Sequence, residues 1–200
     1  MPGRRPGIVI GAHFDTLTKP KGFVGANNGA AGTAVVIEVA RVLAASNLPA
    51  GGREIRFVLF DGEEPPSGLP EQSGDFYHSG LRGSRAHVAR HPHRTEAMIL
   101  LDYVGNKGLR LPRERSSDPS LWRKLRKAAK TVGAGRYFPN RTEVTITDDH
   151  TPFLRAGVPA IDLIDWRYPG HDLRDRLRRL SRKSLGVVGR TVVDLVSRIR

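Results

Sequence analysis

Short apolar runs alternate along this chain with segments whose apolar residues recur at helical spacing. Four runs have the length and composition of buried strands; they are residues 7–12, 56–60, 97–101 and 158–164. Helical periodicity marks four further segments; they are residues 33–43, 83–90, 120–131 and 177–199. Strands that alternate with helices predict an α/β fold, with a doubly wound, mostly parallel sheet and helices on both faces. We treat residues 1–200 as a single domain, since no linker or internal repeat divides them.

The run at residues 56–60 is the strand around which we expect the fold to be built. Its nearly unbroken apolar character is typical of a central strand buried on both faces of a parallel sheet. Asp61 and Gly62 form a turn signal, and Glu63 and Glu64 follow at the sheet edge where ligands bind in α/β proteins. The first strand begins only a few residues into the chain. We therefore expect an upstream edge strand or hairpin to be missing and the fold to be truncated at its N-terminus.

Two further patterns lie in the second half of the chain. Residues 142–147 alternate between polar and apolar positions, which predicts another strand. Asp149 precedes a short helical segment and is placed to cap it.

The composition narrows the chemistry that is available. The 200 residues contain no cysteine, which excludes a disulfide framework, a thiolate metal site and a cysteine nucleophile. No apolar run reaches the roughly 18 residues of a membrane span, and the N-terminus lacks the apolar core of a signal peptide. By default, the sequence predicts a cytoplasmic protein without a membrane partner.

Basic residues are enriched near the C-terminus. Residues 167–200 contain ten basic and three acidic residues. Their excess positive charge (10 − 3 = 7) is about half of the formal net charge of +13. Such a segment binds nucleic acid in some proteins. Here the basic positions alternate with an apolar helical stripe, and no aromatic residues are interleaved to stack on bases. We interpret the segment as a solvated helix face, expect no nucleic-acid partner, and leave the oligomeric state open.

Candidate metal ligands follow the predicted strands. They are His13 with Asp15, Glu63 with Glu64, Asp102, and His171. Histidine and carboxylate are the ligands that zinc takes where no cysteine is available. Glu64 is then a ligand, and Glu63 is the general base on a water molecule that the metal acidifies. Asp15 is placed to fix the imidazole tautomer of His13.

Six motifs, taken in order, resemble those of the M28 zinc exopeptidases. They are residues 11–16, 25–32, 60–64, 101–102, 149–154 and 168–171. The resemblance implies a peptide substrate and two zinc ions. It implies that His13 and Asp102 hold one ion, that Glu64 and His171 hold the other, and that Asn28 occupies the bridging position.

The same resemblance implies three further roles. Glu63 matches the general base of the family, with Asp15 as a second catalytic residue. The motif that contains Asp149 and His150 implies contacts to the substrate.

Several stretches are similar to the glutaminyl cyclases of the same superfamily. They are residues 23–26, the long loop at residues 65–80 that leads to residues 83–85, residues 135–138, and residues 148–150 with 153–155. In cyclases one zinc ion is held at the positions of Asn28, Glu64 and His171, and carboxylates shuttle protons. Gly170 replaces the aromatic residue that forms one wall of the cyclase pocket.

Asn28 replaces the bridging aspartate of the peptidases. A carboxylate bridges two cations through two anionic oxygens, whereas an amide offers one neutral oxygen. We therefore predict that the protein binds one zinc ion or none. The predicted function is zinc-dependent hydrolysis of an N-terminal peptide bond. The alternatives are glutaminyl-peptide cyclisation and a catalytically inactive binding domain.

Overall fold

The computed structural model describes residues 6–46, 52–66 and 75–199 of the chain. Within these ranges one sheet contains four parallel strands, in the order β2-β1-β3-β4. The strands are β1 (Gly7–His13), β2 (Ile55–Phe60), β3 (Thr95–Asp102) and β4 (Ala160–Ile164). Parallel neighbours require crossover connections, which helices provide.

Helices cover both faces of this sheet. They are α1 (Gly32–Ala44), α2 (Phe76–Ser79), α3 (Arg82–Arg90), α4 (Pro119–Thr131), α5 (Thr151–Arg155) and α6 (Arg182–Ile199). Because successive strand residues point to opposite faces, Ile8 and Ile10 join the core formed with α1, α4 and α6. Val9, between them, belongs to a second core with Val88 of α3 and Phe153 of α5. The prediction of a doubly wound parallel sheet is confirmed.

The strand at residues 56–60 is not the central strand. Among the described strands β2 pairs only with β1 and lies at the edge of the sheet. Phe57 and Leu59 are 36% and 40% exposed, whereas all seven residues of β1 are buried. The prediction of burial on both faces is therefore wrong for β2. An apolar run indicates a strand, but the neighbouring elements, which are distant in sequence, decide how much of that strand is covered.

Residues 142–147 do not form the predicted strand. Thr142 pairs with Arg113 in an isolated bridge, and the backbone N–H of Ile146 donates to a side-chain oxygen of Glu114 at 3.1 Å. The backbone of Arg113 and Arg115 bonds to residues 141–144, but this pairing is too short for a strand and ends where the Glu114 carboxylate becomes the hydrogen-bond partner. The predicted cap is also wrong, because α5 follows His150 without any side-chain cap.

The C-terminal helix begins later than the apolar pattern predicts. Residues Leu177–Arg179 form a separate short turn, and Leu177 is 76% exposed. The Ser181 hydroxyl accepts a hydrogen bond from the Ser184 backbone N–H at 3.3 Å, so it caps the first turn of α6. The buried stripe of α6, which includes Val188, Val192 and Leu195, agrees with the prediction.

The predicted long loop at residues 65–80 is described only in part. Residues 67–74 lie outside the described residues, and α2 comes near the end of the segment. In the described part of the chain, no helix combines the length and the apolar character needed to cross a bilayer.

Candidate active site

Three strands bring candidate residues to one edge of the sheet. His13 and Asp102 are the last residues of β1 and β3, and Glu63 and Glu64 follow β2 after a short turn. His171 comes from the loop between β4 and α6. All of these except Glu64 line a cleft of about 440 Å³. Other residues that line the cleft include Asn28, Tyr103, Ile146, Asp148 and Trp166.

Asp15 fixes the position of the two glutamates. One carboxylate oxygen accepts the backbone N–H of Glu63 at 3.1 Å, and the other accepts the N–H of Glu64 at 3.1 Å. Burial raises the pKa of Asp15, but His13 and these two N–H groups outweigh burial and lower the pKa overall. The carboxylate therefore stays charged and holds the turn after β2 against the end of β1.

His13 is held by the backbone of Asp15. Its Nδ1 lies 3.0 Å from the Asp15 carbonyl oxygen, and its Nε2 lies 3.5 Å from Oδ1 of Asp102. Two atoms bound to one tetrahedral zinc ion at 2.0–2.1 Å are about 3.4 Å apart. Burial lowers the pKa of His13, but Glu63 and Asp102 outweigh burial and raise it well above its usual range. The space between Nε2 and Asp102 thus favours a cation or a proton.

Glu63 lies in a buried environment that favours its protonated form. Its Oε2 lies 3.8 Å from Nδ1 of His13, and the residue is 8% exposed. Burial raises the pKa of Glu63 well above its usual range, and nearby Asp148 and Glu64 raise it further against the opposing effect of His13. Burial and Asp102 also raise the pKa of Asp148 to about 6. Two carboxyl groups of the cleft therefore hold a proton more readily than a free carboxyl group does.

Asn28 is fixed by the chain around it. It lies in a kinked helical turn, Ala26–Ala31, in which Asn28 itself is not helical and Gly29 has a φ of 78°. The Asp175 carboxylate accepts the backbone N–H groups of Asn27 and Asn28 at 2.8 and 3.0 Å. A Cβ on Gly29 would lie 2.7 Å from the backbone oxygen of Asp15, so glycine is required at position 29.

The Asn28 amide is oriented by two hydrogen bonds. Its Nδ2 donates to Oε1 of Glu64 at 2.8 Å and to the Tyr103 hydroxyl at 3.1 Å. These bonds use both amide hydrogens. The amide oxygen is buried and accepts no hydrogen bond from the described residues. In this orientation Asn28 has one neutral oxygen left for a ligand.

A second pair of candidate ligands lies beside Asn28. Nε2 of His171 is 3.6 Å from Oε1 of Glu64, again close to the separation of two zinc ligands. Within the described residues, no group of three or more histidine, aspartate and glutamate side chains is arranged to hold a metal ion. The donor types and the two pairs thus fit a metal, while a complete coordination sphere is not formed.

Asp149 and His150 are completely buried, and neither lines the cleft. Nε2 of His150 lies 2.9 Å from the Ser116 hydroxyl and 3.3 Å from Glu114. Burial and Asp148 raise the pKa of Asp149 to about 8. The predicted contact of both residues with a substrate stays a prediction, since this conformation places other side chains at the surface of the cleft.

Three residues of this region were not among the predicted site residues. Tyr103 directly follows Asp102, and an aromatic residue beside a candidate ligand is a usable sequence signal. Burial and Asp102 raise the pKa of Tyr103 well above its usual range, so it stays protonated. Asp148 precedes the predicted Asp149. Asp175 accepts a hydrogen bond from the backbone of Asn28, which lies 147 residues away along the chain. No local sequence pattern reveals such a contact.

Comparison with known proteins places these residues in a recognised family. The sequence profile of peptidase family M28 matches residues 2–196. Aminopeptidase YwaD of Bacillus subtilis is 28% identical over 211 residues, which cover 96% of this chain and 41% of that protein. The chain spans between 41% and 58% of the length of the first curated relatives that it matches.

Solved structures show the same architecture. The glutaminyl cyclase of Porphyromonas gingivalis has a TM-score of 0.82 and 32% identity, covering 98% of this chain and 72% of that chain. A Zn-dependent exopeptidase from Parabacteroides distasonis has a TM-score of 0.79 and 27% identity, covering 98% of this chain and 74% of that chain.

Proposed function

Because this chain belongs to peptidase family M28, we propose that it hydrolyses the N-terminal peptide bond of a peptide substrate with the help of a zinc ion. The observation that carries this proposal is Glu63. It is a buried carboxyl group with a raised pKa, and it lies in a cleft at the carboxyl edge of the sheet. A raised pKa makes a carboxylate a stronger proton acceptor than a free one, as a general base requires.

In this reaction Glu63 takes a proton from the attacking water and returns it to the leaving amine. His13 lies against Glu63 at 3.8 Å and stabilises its charged form. Asp15 holds the backbone of Glu63 through the N–H bond at 3.1 Å. The position of the base is thereby set by two side chains from β1 and the turn after it.

A zinc ion supplies Lewis acidity, which polarises the carbonyl group and makes water more acidic. His13 with Asp102, or Glu64 with His171, would hold it. Asn28 does not bridge two zinc ions held by these two pairs of ligands. Its amide nitrogen faces Glu64 at 2.8 Å, and its single oxygen carries no charge. We therefore propose that one zinc ion binds per chain at most.

The proposal is tested with protein purified without chelators. We expect at most one zinc per chain by elemental analysis, together with cleavage of an N-terminal leucine peptide. Glu63→Gln should abolish turnover with little loss of zinc, since it removes the proton acceptor and keeps the shape. Glu38→Gln, an exposed change on α1, is the matched control. Two tightly bound zinc ions per chain would contradict the proposed role of Asn28.

Glutaminyl cyclisation is the second candidate. Asp148 supports it, because a carboxyl group with a pKa of about 6 beside Glu63 is suited to shuttling a proton. Incubation with an N-terminal glutamine peptide separates the two reactions. Ammonia release from this peptide without cleavage of the leucine peptide would show that the reaction is cyclisation and would refute the proposed hydrolysis. Turnover of neither peptide by zinc-loaded protein would instead favour an inactive binding domain.

A further inference from the structure

Tyr103 reaches the cleft through an uncommon backbone conformation. It follows the last residue of β3 and has a φ of 45°, a left-handed conformation that only a small fraction of residues other than glycine adopt. Oδ1 of Asp102 accepts the Tyr103 backbone N–H at 2.8 Å and holds this turn. The side chain is 3% exposed and lines the cleft. The fold therefore holds a buried phenol at the candidate site.

Gly170 leaves the space that this phenol occupies. A Cβ on Gly170 would lie 2.1 Å from the Tyr103 hydroxyl oxygen and 2.3 Å from the ring carbon that bears it. The ring also contacts His171, with the centroids 6.2 Å apart. The tyrosine thus replaces, from another strand end, the side chain that position 170 lacks.

The hydroxyl of Tyr103 has a hydrogen left to donate. It accepts one hydrogen bond, from Nδ2 of Asn28 at 3.1 Å, and none of the described residues accepts its proton. Three of the other side chains that line the cleft, those of Glu63, Asp102 and Asp148, are carboxyl groups, which only accept hydrogen bonds when ionised. Both amide hydrogens of Asn28 are already used within the protein, and the hydroxyl and indole donors of the lining, at Thr145, Thr147 and Trp166, belong to exposed residues.

We propose that the Tyr103 hydroxyl is a catalytic hydrogen-bond donor to the oxyanion formed from the attacked amide carbonyl. This inference rests on the proposed function. When the water oxygen bonds to the carbonyl carbon, the electron pair of the C=O bond moves to oxygen, and Glu63 takes the water proton. The Tyr103 O–H donates to that oxygen and keeps its proton. The C–N bond then breaks, and the amine leaves with the proton from Glu63.

Two variants test this role by turnover. Tyr103→Phe keeps the ring and should lower kcat by about 10²–10³-fold, the usual cost of one oxyanion donor, with KM changed less than threefold. Tyr137→Phe is the control, because that hydroxyl accepts from Arg136 outside the cleft. A Tyr103→Phe enzyme with kcat within threefold of the wild type would overturn the proposal.

Binding of a tetrahedral mimic gives a readout that does not depend on turnover. We compare the calorimetric affinity of the boronic acid analogue of leucine with that of 3-methylbutylamine, which lacks the boronate. The wild type should prefer the boronate, and Tyr103→Phe should lose at least tenfold in boronate affinity while its amine affinity is unchanged. Equal binding of both compounds by the wild type, or full retention by Tyr103→Phe, would overturn the role of Tyr103. Absence of peptide turnover alone would refute only the proposed function.

Gly170→Ala tests the same role without altering the tyrosine. The new methyl group displaces Tyr103, so boronate affinity should fall as it does in Tyr103→Phe. In a Tyr103→Ala background the same change should have no further effect, since the colliding ring is absent. An equal loss in both backgrounds would show that Gly170 acts independently of Tyr103 and would contradict the proposed placement.

Discussion

Glu114 is the buried anion whose removal should affect both stability and the cleft. It is 1% exposed and lies in the loop before α4. One carboxylate oxygen accepts the backbone N–H groups of Ser116 at 2.7 Å and Ile146 at 3.1 Å. The other accepts the Ser117 N–H at 2.8 Å and faces Nε2 of His150 at 3.3 Å. Since Ile146 lines the cleft, this carboxylate fixes part of the cleft wall.

The expected loss of folding free energy follows from the pKa of Glu114. Burial alone raises the pKa of Glu114, but His150 and the Ser116 N–H outweigh burial and lower it to about 2 from 4.5. A difference of this size corresponds to about 3 kcal/mol of folding free energy at neutral pH. Glu114→Gln places an NH₂ group opposite backbone N–H donors in either orientation, and each donor left unpaired costs about 1–3 kcal/mol. With one or two such donors unpaired, this loss is of the same order as the roughly 3 kcal/mol obtained from the pKa of Glu114.

The pH dependence has a defined sign. A carboxyl group with a lowered pKa stabilises the fold above its unfolded pKa, and this contribution is lost as the pH falls from about 4.5 through about 2. Urea unfolding of wild type and Glu114→Gln should therefore differ by about 3 kcal/mol at pH 7 and by roughly 1 kcal/mol less at pH 3.5. Glu38→Gln, which breaks an exposed pair with Arg41, should leave the urea midpoint close to that of the wild type, because an exposed ion pair contributes little to stability. A Glu114→Gln loss below 1 kcal/mol at pH 7, or one that does not change with pH, refutes the assignment.

Two further predictions concern Asn28 and the start of α6. Asn28→Asp restores two anionic oxygens between Glu64 and the cleft, so elemental analysis should show more zinc per chain than in the wild type. Mass spectrometry must accompany this assay, because the pair of Asn28 and Gly29 is prone to deamidation. Ser181→Ala removes the hydroxyl that accepts the Ser184 N–H and should lower the free energy of unfolding by about 1 kcal/mol, measured by urea denaturation.

The grouping of candidate residues was predictable because it depends on strand direction alone. Residues that end parallel strands come to the same edge, so His13, Glu63 and Asp102 required only the strand assignments to be placed together. The positions of the strands within the sheet were not predictable in this way. An apolar run such as that of β2 has the same sequence pattern in an edge strand as in a central strand, since the elements that cover the strand are distant in sequence.

The contacts that shape the cleft could not be predicted from the sequence, for the same reason. In the sequence, Gly170 indicates that an aromatic wall of the pocket is missing. In the fold, Tyr103 fills that space from the end of another strand. Likewise, Asp175 supports Asn28 across 147 residues. Such contacts join residues that lie close together only once the sheet and its loops are assembled.

The replacement at position 28 changes how the site balances its charge. An aspartate there would place a carboxylate against Glu64, where the Asn28 nitrogen now donates at 2.8 Å, and two carboxylates at that distance require a proton or a cation between them. The amide removes one negative charge and donates a hydrogen bond instead, so Glu64 is stabilised without a metal. Nε2 of His13 and Oδ1 of Asp102 have no such donor between them at 3.5 Å. A cation is therefore still favoured between His13 and Asp102, whereas the pair of Glu64 and His171 has less need of one. This difference is the physical basis for expecting a single zinc ion.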